Sequence, residues 1–360
     1  MTSQLHLQLQ QSHHNYITLT DPCGGCLTIV EHGARPLDMT LAKEDGCSAF
    51  WFDSSALTSR QNWNIGGDRT WISPEIEYFT NESGNAQVPA QLDPGDWVLE
   101  QVSSSQAVAK MAAELQHRSS TRLVHVELEK QFRLLPNPLV MNTSTRLRSL
   151  QISSYMGYEV VASMRLQPQL GEQMETSEAS ASVPAGYCSL WSVLQVPPGG
   201  AILAPTYGQV EPLAMFAHDR QHVRMKSLPN GLLLHCEGDR KFKFSLDAIS
   251  STGRFGYIRH LNERKSCLIV RQFHVNPSGM YPDYPPGRPD YSGSCMQFYF
   301  DGGQLGHFAE LEYHSPALRI DAPGHRTDIS QLFYFTGSTD DILAIAEIML
   351  GIVPEADFAT

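Results

Sequence analysis

Three polar side chains that can move protons alternate along one short segment near the end of the sequence. The segment is GHFAELEYHSP, residues 306–316, and an extended strand there puts Glu310, Glu312 and His314 on one face. Two carboxylates and an imidazole on a shared face can carry out general acid–base chemistry if that face lines a cleft. A solvated strand face is the alternative, because residues 125–129 repeat the same alternation.

A second run, NWNIGGDRTWISPEIEYF at residues 62–79, concentrates residue types that suit a sugar site. Gly66 and Gly67 permit a close backbone approach or a positive φ. A sugar ring stacks its apolar face on an indole, while its hydroxyl groups form paired, bidentate hydrogen bonds with a charged side chain. The candidates for such contacts are Trp63, Asp68, Arg69, Trp71 and Glu75. The alternative is a turn with an ordinary ion pair between the Asp and the Arg, beside two core tryptophans.

A third candidate is the loop QFHVNPSGMYPDYPPGRPD, residues 272–290, which is dense in Pro, Tyr and Asp. A rigid loop of this kind can present Tyr281, Asp283 and Tyr284 to a ligand. A structured surface loop is the alternative, since Pro-rich turns need no function.

Neither a metal nor a cofactor is predicted. Asp283, Asp290 and Asp301 could supply oxygen ligands, but they lack the spacing of a calcium loop. The CxxC of Cys23 and Cys26 lies between two apparent strands and has no second pair nearby, so we expect a hairpin turn. Phosphate-binding and dinucleotide-binding glycine patterns are missing from the sequence.

The elements that must position these residues are mostly strands. Period-two alternation of apolar and polar residues recurs along the chain, for example at residues 121–132, 231–238, 240–246, 265–275 and 296–303. Gly, Pro, Asn and Asp punctuate these runs at short intervals. The pattern predicts an all-β fold, a large antiparallel sandwich or barrel with few short helices.

The clearest helix signal is STDDILAIAEIML, residues 338–350, with Ser338 as N-cap and Gly351 as the stop. We expect this helix to pack on a sheet. A polar loop is expected at residues 171–184, and the strand pattern is similar on both sides of it. We therefore predict one β-sandwich domain over residues 15–352, preceded by an N-terminal extension at 1–14.

Composition limits the class of partner. The chain has 38 acidic and 26 basic residues and a formal net charge of -12, which argues against nucleic acid or an anionic membrane as partner. No window is long and apolar enough for a membrane span, and no leader pattern is visible at the start. Seven scattered cysteines suit a reduced, cytoplasmic protein better than a disulfide framework.

The order of these segments resembles the galactose mutarotase-like superfamily, to which the aldose 1-epimerases belong. LTIVEHGARPLDMTL (27–41) is similar to its opening strands, NIGGDRTWISPE (64–75) to its sugar-binding Arg segment, and FAELEYHSP (308–316) to the segment with the catalytic Glu. The resemblance covers residues 15–352. It implies a supersandwich whose concave sheet face holds a carbohydrate, with Arg69 binding sugar and Glu310 or Glu312 as base.

One departure from that family concerns the general acid. The epimerases carry a His on their central strand, whereas CSLWSVLQVPPGGAILAP (188–205) has none. His260, His274 or His314 could take the role of the acid. The expected catalytic set is therefore Glu310, Glu312 and His314, and the expected sugar-binding set is Asp68, Arg69, Trp71, Glu75, His260 and Tyr281.

Three functions remain open at this point. The first is interconversion of sugar anomers by acid–base ring opening. The second is carbohydrate binding without catalysis, which the missing His favours. The third is a lyase acting on a uronate, for which Arg69, Arg259, His260 and Tyr257 offer the residue types. The identity of the sugar and the oligomeric state are not determined by these patterns.

Overall fold

Three antiparallel β-sheets make up most of the chain. The computed structural model describes residues 4–41, 48–59, 62–81, 83, 85–140, 152–167, 186–216, 223–285, 293–352 and 354. The expected loop at 171–184 lies outside the described residues. The prediction of an all-β fold with large antiparallel sheets and short helices is confirmed.

The described helices are α1 (Gln4–Gln11), α2 (Glu75–Tyr78) and α3 (Thr339–Leu350), with short turns of helix at His32–Ala34, Ala56–Thr58 and Gln91–Gly95. The strands are β1 (Tyr16–Thr20), β2 (Cys26–Val30), β3 (Arg35–Thr40), β4 (Asp68–Ser73), β5 (Val98–Ser103), β6 (Gln106–Gln116), β7 (Leu123–Leu134), β8 (Ile152–Gln167), β9 (Tyr187–Val196), β10 (Gly200–Pro205), β11 (Leu213–Ala214), β12 (Met225–Leu228), β13 (Gly231–Cys236), β14 (Phe242–Asp247), β15 (Arg254–His260), β16 (Lys265–Phe273), β17 (Ser294–Phe300), β18 (Ala309–His314), β19 (Leu318–Arg319) and β20 (Gly324–Ser338).

The largest sheet has ten strands in the order β12-β13-β10-β15-β16-β20-β8-β7-β6-β5. Two of its strands, β6 and β7, alternate strictly: β6 buries every second side chain, from Ala107 to Leu115, and exposes most of the others. Such alternation is expected of a sheet with one face on the core and one face in water. The strand at residues 125–129 belongs to this sheet, on β7.

The second sheet runs β11-β14-β17-β18-β9-β19, and β4 pairs with the other edge of β9. One hydrophobic cluster takes side chains from both large sheets, for example Val126 of the first and Leu194 and Phe298 of the second. The two sheets therefore form a sandwich. Strands β9 and β18 are buried on both faces, so segments of chain also cover the face of the second sheet that points away from the first.

Helix α3 covers part of the outer surface of the ten-stranded sheet. Its buried Ile342 and Ile345 join a cluster with Ile258 of β15 and Leu268 of β16. Ser338 caps its first turn, because its Oγ accepts from the backbone N–H of Asp341 at 3.2 Å. The helix that the sequence places at 338–350 is thus an amphipathic cover for one sheet.

The N-terminal residues also form a helix. Along α1, Leu5 and Leu9 are buried against Val30 and Leu57, while Leu7 stays exposed. The spacing of four residues between the two buried leucines is helical. Within the described part of the chain, no helix is long and apolar enough to cross a membrane.

All six cysteines that the structure describes are free thiols. Cys23 lies in the turn between β1 and β2, where the Asp21 carboxylate accepts from the backbone N–H groups of Cys23 and Gly25. This turn is the hairpin that the flanking strands predict for the CxxC segment.

Candidate functional site

The covered face of the second sheet carries a row of four polar side chains that lie directly opposite one another on adjacent strands. Register pairs Lys243 with Tyr299, Tyr299 with Glu310, and Glu310 with Gln195 across β14, β17, β18 and β9. Opposed residues on an antiparallel sheet point to the same side. We call these four residues the proton row.

Arg69 reaches the proton row from β4. Its Nη2 donates to Oε1 of Glu310 at 2.8 Å, and Nε2 of Gln195 donates to the same oxygen at 3.0 Å. Glu310 is 8 % exposed and Arg69 is 2 % exposed. Both hydrogen bonds go to Oε1. No donor from the described residues binds Oε2, so this second oxygen is open to a ligand.

Aromatic rings surround this ion pair. The guanidinium of Arg69 lies 4.0 Å from the ring centroid of Trp71 and 5.6 Å from that of Trp63. Trp63 is half-buried, and so is Tyr299 on the proton row. The pair therefore has aromatic faces beside it that could stack on the apolar side of a sugar ring.

Glu312 lies two residues after Glu310 on β18, on the same face, and is fully buried. Its Oε2 accepts from Nε1 of Trp191 at 2.8 Å and pairs with Nζ of Lys243 at 3.2 Å. Lys243 also binds the carboxylate of Glu75, on α2, at 2.9 Å. The ammonium group thus links the sheet to the helix that covers it.

The environment raises the pKa of both carboxyls on β18. Burial raises the pKa of Glu310, against the lowering effect of the charges on Arg69 and Lys243. Burial, followed by the nearby carboxylates of Glu310 and Glu75, raises the pKa of Glu312 to about 8, although Lys243 opposes this. For Lys243 itself, burial lowers the pKa, but the charges of Glu312 and Glu75 outweigh it and raise the pKa.

His314 shares the face with both glutamates. Its Nδ1 lies 3.0 Å from Oγ of Ser73, and its ring stacks on Trp191. Burial, with a further contribution from the charge on Lys243, lowers the pKa of His314 to about 3. The imidazole is therefore neutral at physiological pH and holds no extra proton to deliver.

Asp68 does not lie on this face, so it is not beside Arg69 as the expected sugar-binding set implied, and the two residues form no ion pair with each other. On β4 successive side chains point to opposite sides, so Asp68 points into the interior between the two large sheets. There its Oδ1 accepts from Nη1 of Arg271 at 3.1 Å, and its Oδ2 accepts from the hydroxyl of Tyr158. Its role is to join the two sheets. Asp68 and Arg69 were expected in one site, but they are neighbours on a strand and so point to opposite sides.

His260 and Tyr281 also lie elsewhere. His260 ends β15 on the ten-stranded sheet, where Nδ1 lies 3.0 Å from Oγ of Ser266, near the start of α3. Tyr281 is buried in its own loop, and its hydroxyl accepts from the backbone N–H of Asn276 at 3.0 Å. In the described part of the chain, neither side chain contacts the proton row.

The same loop does bring Asp283 to the site. Its Oδ1 accepts from the backbone N–H of Glu75 at 2.8 Å, and its Oδ2 accepts from Nε2 of Gln297. Gln297 lies opposite Glu312 in the register of β17 and β18. Asp301, in contrast, is occupied by its own turn, where four backbone N–H groups donate to it.

Lys243, Tyr299 and Gln195 did not emerge as site residues from the sequence. Lys243 carries a recognisable signal, because it lies between Phe242 and Phe244 on a strand with five consecutive buried residues. A lysine at such a position is buried only if it is paired. Among the described residues no group of three or more His, Cys, Asp or Glu side chains could hold a metal ion.

A family model described as a family of unknown function, DUF6786, matches residues 3–356. The chain belongs to the DUF6786 family. No curated protein matches the sequence.

Solved structures similar to this DUF6786 chain include a Synechocystis protein, with 13 % identity and a TM-score of 0.48 over 90 % of this chain and 96 % of the other. A galactose mutarotase related enzyme from Lactobacillus acidophilus has 9 % identity and a TM-score of 0.47 over 89 % and 97 %. An aldose epimerase homologue from C. elegans has 8 % identity and a TM-score of 0.42 over 90 % and 99 %.

Proposed function

We propose that the chain binds a monosaccharide against the proton row and interconverts its anomers, with Glu310 as the base. The observation that carries the proposal is the Arg69–Glu310 pair, buried on a sheet face with a second oxygen of Glu310 open and with aromatic rings beside it. A carboxylate held by an arginine and an amide keeps its reactive oxygen in one place. Sugar hydroxyls bind charged groups of this kind, and aromatic faces suit the sugar ring.

The reaction needs two proton transfers. Glu310 removes the proton from the anomeric hydroxyl while the bond between C1 and the ring oxygen breaks, and an acid delivers a proton to that ring oxygen. The product is the open-chain aldehyde. Rotation about C1–C2 and closure of the ring, with the two proton transfers reversed, give the other anomer.

Tyr299 is the proton donor that we propose for the ring oxygen. It lies directly opposite Glu310 in the register of β17 and β18 and is half-buried. Burial, with a further contribution from the charge on Glu310, raises the pKa of Tyr299, which keeps its hydroxyl protonated at physiological pH but makes it a weaker acid than a free tyrosine. His314 is a poor candidate because its pKa is lowered to about 3.

Magnetisation-exchange NMR over a panel of aldoses tests this function. Enzyme-accelerated exchange between anomers is expected for at least one sugar, and Glu310→Gln should lower kcat by about 100-fold or more, the usual contribution of a general base. Glu129→Gln is the matched control, because Glu129 lies on β7 and pairs with Lys110 away from the proton row. Exchange at the spontaneous rate for every sugar in a folded sample contradicts catalysis.

Carbohydrate binding without catalysis is the second candidate. It is favoured by β9, where Trp191, Val193 and Gln195 face the site and no histidine is present. Calorimetry together with the exchange measurement separates the two functions. Binding without catalysis is supported if a sugar binds, loses affinity in Arg69→Lys, and shows no accelerated exchange between its anomers. Lysine should bind less well because it lacks the planar pair of donors of arginine.

A further inference from the structure

A completely buried carboxylate lies behind the Arg69–Glu310 pair. Asp93, in the turn Gln91–Gly95, is 2 % exposed, and its Oδ2 accepts both from Nη2 of Arg35 and from Nε1 of Trp71, the latter at 2.8 Å. Arg35 is itself fully buried and also donates to the backbone carbonyl of Gly66. One carboxylate oxygen thus joins a fixed guanidinium to an indole, which sets the position of the indole ring.

The Trp71 indole is in turn the surface on which Arg69 lies. The guanidinium carbon is 4.0 Å from the ring centroid, within the range of a cation–π contact. Nε and Nη1 of Arg69 are buried and have no hydrogen-bond partner within the described ranges. The orientation of the guanidinium therefore depends on the indole face and on its single hydrogen bond to Glu310.

We propose that Asp93 is a positioning residue for the Arg69–Glu310 pair: Arg35 holds Asp93, Asp93 holds the N–H edge of Trp71, and the Trp71 face holds Arg69 against Glu310. Asp93 is too deeply buried to meet a ligand, so it acts through Trp71. The consequence for sugar chemistry rests on the proposed function, whereas the consequence for the ionisation of Glu310 does not.

General energetics agree with a positioning role. A buried ion pair such as Arg35–Asp93 is often no more stabilising than apolar side chains of the same size. Such a pair is suited to fixing one geometry. Here the geometry is that of an indole with a buried charge on its edge and the site arginine on its face.

Titration of Glu310 by carbon-13 NMR of the side-chain carboxyl groups tests the positioning without any sugar. In the wild type the charge of Arg69 and its hydrogen bond lower the pKa of Glu310 against the effect of burial. Asp93→Asn weakens the link to Arg35, and Trp71→Phe keeps an aromatic ring but removes the N–H together with the second ring of the indole. Each should raise the pKa of Glu310 by about one unit or more, as expected when a carboxylate loses a close arginine.

Asp328→Asn is the matched control. Asp328 is equally buried and accepts from the hydroxyl of Tyr313 at 2.7 Å, on the opposite face of β18 from Glu310. Its substitution should leave the Glu310 titration unchanged. Thermal unfolding of each variant shows which are folded, and Trp71→Phe, which removes the N–H that Asp93 binds, decides if Asp93→Asn does not fold.

The outcomes for positioning and for function separate. A Glu310 titration equal to that of the wild type in Trp71→Phe and in folded Asp93→Asn overturns the positioning role, as does an equal shift in Asp328→Asn. A shifted Glu310 pKa in a chain that binds no aldose by calorimetry supports the positioning role and contradicts the proposed function. With an active chain, both variants should lower kcat or raise KM for the aldose, and Asp328→Asn should change neither.

Discussion

At the scale of single residues, Glu312 holds a proton over an unusual range of pH. Burial raises its pKa from the ordinary 4.5 to about 8. Since the folded state binds this proton more tightly than the unfolded chain does, the stabilising contribution is complete below about pH 4.5 and is lost as the pH rises through about 8. The carboxyl of Glu312 thus makes the folded chain sensitive to pH within the physiological range.

Glu312→Gln should remove this sensitivity, because glutamine resembles the protonated carboxyl and does not titrate. Between about pH 4.5 and 8, the free energy of unfolding of the wild type should fall relative to the variant by up to about 1.4 kcal/mol per pH unit. Urea unfolding of both proteins at several pH values measures the difference. A constant difference across this range would show that Glu312 ionises normally.

Among the secondary-structure elements, the start of β4 depends on a glycine at a point where two backbone segments lie very close together. Gly67 has φ of 82°, and a Cβ there would lie 2.3 Å from the carbonyl oxygen of Pro36. Its own carbonyl accepts from the backbone N–H of Gln195 at 3.0 Å. Gly67 therefore lets the chain pass close to β3 just before β4 begins, and it extends the pairing of β4 with β9.

Gly67→Ala should destabilise the chain for two reasons. Strain at positive φ should cost about 1–3 kcal/mol, and the clash of the new Cβ with the carbonyl oxygen of Pro36 should cost about 1–3 kcal/mol more. Gly208→Ala is the control for φ alone, because Gly208 has φ of 87° and nothing within 4 Å of the added Cβ. Chemical denaturation compares the two variants. Equal losses of stability would mean that the close approach to Pro36 relaxes without cost.

The C-terminal helix offers a second prediction at this scale. Ser338→Ala removes the acceptor for the backbone N–H of Asp341 and should cost about 0.5–2 kcal/mol of stability. Ser278→Ala is the control, since the recorded hydrogen bond of Ser278 uses its backbone N–H. Both are measured by thermal or chemical unfolding, and a cost no larger than that of the control would contradict a capping role.

At the scale of the whole molecule, buried charge joins the two large sheets. Arg271 of β16 donates to Asp68 of β4 and, at 2.6 Å, to the hydroxyl of Ser192 on β9. The pair lies directly behind the sheet face that carries Arg69. It therefore fixes the distance between the sheets at the site.

Arg271→Met should cost about 3–5 kcal/mol, because it leaves the carboxylate of Asp68 buried without its cation. Arg133→Met is the control: Arg133 pairs with Glu159 at 2.8 Å, but its side chain is 55 % exposed, and such pairs contribute about 0–1 kcal/mol. Urea unfolding of both variants gives the two values. A loss for Arg271→Met as small as for the control would show that water reaches Asp68.

The local pattern of the sequence determined the all-β fold and which side chains share a strand face. Period-two alternation placed Glu310, Glu312 and His314 together, because neighbouring side chains on a strand point to opposite sides wherever the strand lies. The cap at Ser338 and the glycines before β4 were equally visible, since each depends on a few adjacent residues.

Tertiary structure alone decided which polar face is covered and what lies opposite it. Strands β7 and β18 carry the same alternation, yet Glu129 is partly solvent-exposed on an outer face, while Glu310 is buried beside Arg69. Tyr299 lies on β17, the strand that immediately precedes β18 in the chain. Lys243 and Gln195, in contrast, join the proton row through the pairing of strands that are far apart in the chain. Alternation is a property of one strand, whereas strand order and register depend on how distant segments bury their apolar faces together, so no local pattern could identify these neighbours.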